Sequence, residues 1–358
     1  MADHPSSPRK GRGAGYNPDN RFFSTRSQAE DDGWWQSDEP LPPLKTEVMV
    51  QQSRTIISRN QSPDVPFFQS INPYQGCEHG CIYCFARPSH AYLDLSPGLD
   101  FETKLFAKPN AAELLRAELA KPGYQCQFIN IGANTDPYQP IEREWKITRS
   151  LLEVMLESRH PVTLITKNAL VLRDLDLLSE LAKLELVQVM VSITTLDGEL
   201  ARLMEPRASS PHRRLLAVEK LSAAGVPVGV LMAPMIPFLN DAEIEKLLET
   251  VAKAGARSAG FVLLRLPYEL RDLFVDWLNT HFPLRAERIM NVLREARGGR
   301  DNDPRFGMRM RGDGPYAQLI SQRFARACRQ HGLRGRERAL RSDLFRPPRL
   351  DGQLGLFD

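Results

Sequence analysis

The sequence predicts an α/β fold built on parallel strands, on three observations. Short β-branched or apolar runs alternate six times with longer stretches of helical period, from residue 68 to about 282. Such alternation joins parallel strands through right-handed crossovers, either as an open doubly wound sheet or as a barrel. Polar clusters follow every strand, "NPYQGC", "GANTDPYQP", "TKN", "TTLD", "APMIPFLND" and "RLP", at the end where parallel α/β folds carry their sites. Six strands fall short of the eight that close a barrel, so a barrel of this length leaves a lateral opening through which a large substrate can enter.

The elements follow in order. Strands are predicted at 68–72, 127–131, 162–166, 187–193, 226–232 and 259–264, and helices near 110–120, 144–158, 173–184, 212–224, 241–254 and 269–280. Asn110 with Glu113, and Asn240 with Glu243, have the spacing of a capping box at two helix starts. Residues 1–60 are rich in Pro, Gly and charge, with Trp34 and Trp35 a bulky apolar pair, and are expected to be largely extended or disordered around the outside of the fold. The barrel region is expected at 61–283 and a basic helical extension at 284–345, with helices near 285–297 and 316–331, followed by a tail at 346–358.

Hydrophobic residues make up 42% and charged residues 25% of the chain, the balance of an ordinary globular protein. No apolar run is long enough to span a bilayer, and the first residues lack the apolar core of a secretory signal, so a cytoplasmic protein with no membrane partner is expected. The formal charge of +3 conceals an asymmetry: Arg285 to Arg349 holds 17 Arg and no Lys against 7 Asp plus Glu, about +10 in that stretch. Such a segment suits phosphates, and equally a solvated helical surface. Arg9, Lys10 and Arg12 near the start pose the same choice.

Three of the five cysteines, Cys77, Cys81 and Cys84, fall within "GCEHGCIYCFAR". In a chain of this size that grouping points to metal chemistry rather than a disulfide framework, and leaves Cys126 and Cys328 as buried or inert thiols. Zinc and iron–sulfur clusters ordinarily take four protein ligands. With three, one coordination position is completed from elsewhere or left for a small molecule. Gly76 and Gly80 allow the backbone to turn tightly around a bulky group. At the strand ends, Lys167 offers a cation for a carboxylate, and Ser192 with Thr194 offer hydroxyls on one face of a strand.

The "CEHGCIYC" loop resembles the C-x3-C-x2-C loop of the radical S-adenosylmethionine (SAM) enzymes, with an aromatic residue before the last cysteine. Together with "INPYQGCEHGCIYC", "NTDPYQP", "ITKN" and "VSITTLD", it resembles the branch that contains spore photoproduct lyase and its relatives. The resemblance implies a partial (β/α)6 TIM-type barrel and a [4Fe–4S] cluster held by Cys77, Cys81 and Cys84. It implies that the fourth iron binds SAM, which one electron cleaves to methionine and a 5′-deoxyadenosyl radical. By the same resemblance Tyr83 flanks the adenine, Asn134 or Thr135 and Lys167 meet the methionine end, and Ser192 and Thr194 meet the ribose. The loop from Ala233 and Pro234 closes over the adenine, and flavodoxin or ferredoxin donates the electron.

That branch's lyases carry a hydrogen-donating cysteine in the loop after the second strand; here the loop reads "GANTDPYQP", and Cys126 lies at the strand's other end. Asp136, Tyr138 and Glu142 are instead the candidates for the reacting face. Nucleic acid is the favoured large substrate, with a peptide or small molecule the alternative. The competing class is a zinc-dependent nucleic-acid-binding module in which Cys126, His79 or another residue completes a tetrahedral site. His79 in an ordinary loop hydrogen bond, and Arg207 in a structural contact, are the plain readings of those two residues.

Overall fold

A computed structural model describes residues 9–23, 44–333 and 339–348; Trp34 and Trp35 lie outside this set. Its strands are β1 (Glu47–Val50), β2 (Ser58–Arg59), β3 (Gln69–Ile71), β4 (Tyr74–Gln75), β5 (Lys104–Ala107), β6 (Ile129–Ile131), β7 (Val162–Thr166), β8 (Val187–Ser192), β9 (Val228–Met235) and β10 (Ser258–Leu263). Strands β3, β6, β7, β8, β9 and β10 are the six expected from the sequence. They run parallel, each hydrogen-bonded to the next in chain order, in a seven-stranded sheet whose far edge is the antiparallel β2. The fold is therefore mixed α/β with a parallel sheet.

The connecting helices are α1 (Asp100–Thr103), α2 (Ala111–Leu119), α3 (Glu142–Trp145), α4 (Ile147–Glu157), α5 (Leu175–Lys183), α6 (Gly198–Met204), α7 (Pro211–Ala223), α8 (Ile244–Lys253) and α9 (Leu270–His281). Each longer helix buries one stripe against the sheet. On α8 the stripe is Ile244, Leu247, Leu248 and Val251, all fully buried, the i, i+3, i+4, i+7 spacing of a helix face. Truncating one such leucine to alanine costs about 2–5 kcal/mol.

Neither predicted capping box forms. Asn110 turns its side-chain amide to the Ser53 carbonyl at 3.0 Å instead of capping α2. Asn240 accepts from Ile236 N–H at 2.7 Å and donates to Thr194 O and Pro234 O, while Glu243 accepts from the Thr195 hydroxyl and Leu196 N–H. Tertiary partners outcompete the local cap because these loops must join neighbouring strand ends. The side-chain caps that do form include Asp197 on α6 and Ser210 on α7.

Beyond α9, α10 (Pro283–Glu295) and α11 (Gly314–Gln330) carry the arginine-rich stretch. Much of its charge is spent internally. Arg297 is buried and donates to the carbonyls of Leu263, Leu264, Met308 and Arg309. Arg294, Arg305, Arg323 and Arg341 pair with Asp301, Asp303, Glu245 and Asp343. Leu263 N–H of the edge strand donates to Met310 O at 2.9 Å, so the segment before α11 covers the open edge of β10. Arg309 and Gly307 N–H both engage Asp64, which precedes β3. The chain ahead of the first parallel strand is thereby joined to the chain beyond the last.

Candidate functional site

The cysteine loop begins at β4 and ends at β5, and these two strands pair antiparallel, Tyr74 with Ala107 and Gln75 with Phe106. Its two ends are thus fixed by a strand pair, with β1 added parallel on the other side of β5. Gly76 has φ +74°, and a Cβ there would lie 2.7 Å from Leu105 Cδ2 and 3.0 Å from Phe101 O, so the turn into Cys77 demands glycine. Cys77 N–H donates to Phe101 O at 2.9 Å. Arg87, fully buried beneath the loop, donates to Cys81 O at 2.9 Å and to the carbonyls of Pro97 and Gly98. Its charge is met by Glu102, which also accepts from Gly13 N–H and Ala14 N–H.

Cys77 and Cys81 are buried and Cys84 half-buried, and none forms a disulfide. Burial pushes the Cys81 thiol up to about 12, Glu205 adding to the effect and Lys167 opposing it. Burial, and then Asp136, push Cys77 well above the ordinary thiol range. Burial thus favours the neutral thiol at Cys77 and Cys81; a cationic group bound beside them would reverse that by stabilising thiolates.

The remaining strand ends converge on this loop. After β6, the Asp136 carboxylate accepts from the Thr166 hydroxyl at 2.7 Å and from Lys167 N–H at 2.6 Å, both at the end of β7, and faces His79 Nδ1 at 3.4 Å. Burial opposes its ionisation, but His79, Thr166 and the Lys167 amide together hold the carboxyl below the usual range. Lys167 places its ammonium 5.7 Å from the centre of the Tyr83 ring. The Tyr83 hydroxyl donates to Glu205, which also accepts from the Thr194 hydroxyl at 2.5 Å and is paired with Arg214. Against its burial, Arg214 and then Lys167 hold the Glu205 carboxyl down at about 2. Arg214 donates onward to Ser192 O at 3.0 Å, and Asn240 ties Thr194 O to Pro234 O.

Several residues singled out from the sequence therefore meet in one place: the three cysteines, Tyr83, Lys167, Thr194 and Asp136. Ser192 lies beside them, buried, its hydroxyl 3.4 Å from Ala233 O. Thr135 is buried with its hydroxyl given to Tyr74 O at 2.7 Å, and Asn134 is exposed at the rim. Tyr138 and Glu142 do not reach the loop's open side. Both are fully buried, and the Glu142 carboxylate is filled by Tyr74, Thr148 N–H and Arg173. His79 and Arg207 have contacts within the protein: His79 with Asp136 and Asn168, Arg207 with Glu78 at 2.7 Å.

The sequence profile of the radical SAM superfamily matches residues 71–251, the stretch that runs from β3 through α8. The chain belongs to the radical SAM superfamily. The resemblance read from the cysteine loop is thereby borne out, and the protein is a radical SAM enzyme, a class that uses SAM and an iron–sulfur cluster. An uncharacterised protein of Mycobacterium bovis is 37% identical over 234 residues, 65% of this chain and 69% of the relative. One from Methanocaldococcus jannaschii is 28% identical over 56% of this chain and 71% of its own length. A point mutant of spore photoproduct lyase superposes with a TM-score of 0.56 at 16% identity over 80% of each chain, and so does that lyase complexed with dinucleoside spore photoproduct. At that identity the likeness is one of fold. No described helix is long and apolar enough to cross a membrane.

The cluster around the cysteine loop also contains residues that sequence reasoning passed over. Glu205 and Arg214 organise Tyr83, and Glu102 and Arg87 support the loop from below. In sequence, "MEPR", "HRRL", "DFETK" and "FARP" carry no periodic or spacing signal that marks these charges for burial.

Proposed function

We propose that Cys77, Cys81 and Cys84 hold a [4Fe–4S] cluster whose fourth iron takes SAM, at the strand-end mouth of a partial (β/α)6 barrel spanning about 61–283. The donor set fits this group. Three free thiols on one strand-anchored loop suit three separate irons. When bound, such a cluster supplies the electron that splits SAM into methionine and a 5′-deoxyadenosyl radical.

The chain's own residues supply the rest. Lys167, the cation over Tyr83, suits the methionine carboxylate, with the exposed amide of Asn134 beside that end. Tyr83 is held rigidly by Glu205, which favours its ring as a wall for the adenine. Ser192 offers the freer hydroxyl to the ribose, because the Thr194 hydroxyl is already donated to Glu205 and keeps only its acceptor capacity. Asp136 acts as a positioning residue that locks His79 and the end of β7. Flavodoxin or ferredoxin is the expected reductant, and the substrate is a large molecule. Nucleic acid is favoured by a structural neighbour that is complexed with a dinucleoside.

The observation that carries this reading is three free cysteines on one strand-anchored loop within the matched superfamily region. Anaerobically purified protein should contain about four irons per chain, and Cys77→Ala, Cys81→Ala and Cys84→Ala should each lose them. One zinc per chain, or iron retained by all three variants, would refute it.

A further inference from the structure

Beside the third cysteine the surface changes character. Phe85, the residue after Cys84, is 48% exposed, and Arg265, on the loop that follows β10, sits with its guanidinium 5.9 Å from that ring. Three residues further on the same loop, Tyr268 is 70% exposed and stacks on Arg21 at 4.4 Å. Arg21 also meets Phe22 at 4.6 Å and Tyr92 at 5.2 Å, rings that are 52% and 74% exposed. Arg309, whose charge is felt at Arg265, lies 4.6 Å from the 58% exposed Phe306. Exposed rings alternating with guanidiniums are thus ranged beside the cysteine loop.

The three arginines differ in their partners. Arg21 is paired with Glu269, and Arg309 with Asp64. Arg265 forms no ion pair among the described residues; the only counter-charge felt there is that of Asp64, whose carboxylate is already taken by Arg309. Its Nε is buried without a hydrogen bond, and its other contact is a long one, 3.7 Å, to the sulfur of Met310. Burial and then the neighbouring charge of Arg309 disfavour its cationic form, and Asp64 offsets them only in part. A half-buried guanidinium in this condition calls for an anion. Bare aromatic rings beside it call for flat apolar partners. Both demands are met together by a strand of unpaired nucleotides, whose bases stack on rings and whose phosphates seek arginine.

We propose that this rim is a binding site for single-stranded nucleic acid, with a phosphate on Arg265 and adjoining bases on Phe85 and Tyr268, so that the strand crosses the cysteine loop. The placement rests on the reading of that loop as the radical-generating site, and names the substrate class for it. A duplex fits less well because its bases are already stacked.

The test measures fluorescence anisotropy of labelled DNA and RNA oligonucleotides of about 15 nucleotides, single-stranded and duplex, with the iron-loaded protein. Single strands should bind more tightly than the duplex. Arg265→Gln should weaken binding about tenfold and lower the salt slope by about 0.7. Phe85→Ala should weaken it by about fivefold or more, while Arg116→Gln, on the distant α2, should not. Iron content equal to wild type reports that each variant is folded. Wild-type protein that cleaves SAM but binds neither strand would overturn the proposal and leave the proposed function standing. If Arg265→Gln and Phe85→Ala bind the strand normally, or if Arg265→Gln loses SAM affinity alone, the guanidinium serves something else and the proposal fails. Protein without iron that binds the strand would overturn the radical reading on which the placement depends.

Discussion

Glu205 receives the hydroxyls of Tyr83 and Thr194 and the guanidinium of Arg214 in a space closed to water. Removing it by Glu205→Ala leaves Arg214 charged and buried, a loss of about 3–5 kcal/mol that urea unfolding will read. A second residue gives a pH signature away from the cysteines. Burial holds the His160 imidazole down at about 4 while its rings' neighbours, Tyr124 and Phe345, pack against it. Between that value and about 6.5 the unfolded chain takes up a proton that the folded chain refuses. The stability contributed by the neutral ring is complete above about 6.5 and disappears as pH falls toward 4, up to roughly 3 kcal/mol. The loss of stability from pH 7 to 4.5 should therefore be larger in wild type than in His160→Gln. The cysteines were legible because their spacing is local. Glu205 was not, since its partner Tyr83 lies 122 residues away.

The six parallel strands and their long helices could be read from periodicity, but the elements that present the cysteine loop could not. Strands β4 and β5 are two and four residues long, too short to show alternation. Residues 9–23 carry no apolar pattern, yet Arg12 donates to Glu102 O, Leu44 O and the Thr46 hydroxyl, and Arg21 pairs with Glu269. At Gly13 a Cβ would stand 1.8 Å from Gly80 O, inside the cysteine loop. Gly13→Ala must push this strap away from the loop, an overpacking of about 1–3 kcal/mol. The expected result is a lower iron content than wild type after identical purification, together with a lower thermal midpoint. Unchanged iron would show that the strap does not support the loop.

At the scale of the whole molecule, the arginine-rich extension is less a free polyelectrolyte than its composition suggested. Charge counting could not tell which arginines would meet carbonyls and carboxylates, because some of those partners, Leu263, Glu245 and Asp64, come from β10, α8 and the chain before β3. Asp64 is the clearest such contact, its side chain 3% exposed between Arg309 and Gly307 N–H. Asp64→Ala should cost about 2 kcal/mol in denaturant unfolding, and Arg309→Ala a comparable amount, with the double variant less destabilised than the sum.

The central claim is that the protein keeps one iron corner open for a sulfonium nucleotide. Anaerobic iron-loaded protein, reduced chemically in the presence of SAM, should form 5′-deoxyadenosine and methionine in equal amounts, and Cys84→Ala should form neither. Intact SAM after full reduction of the cluster would contradict the account.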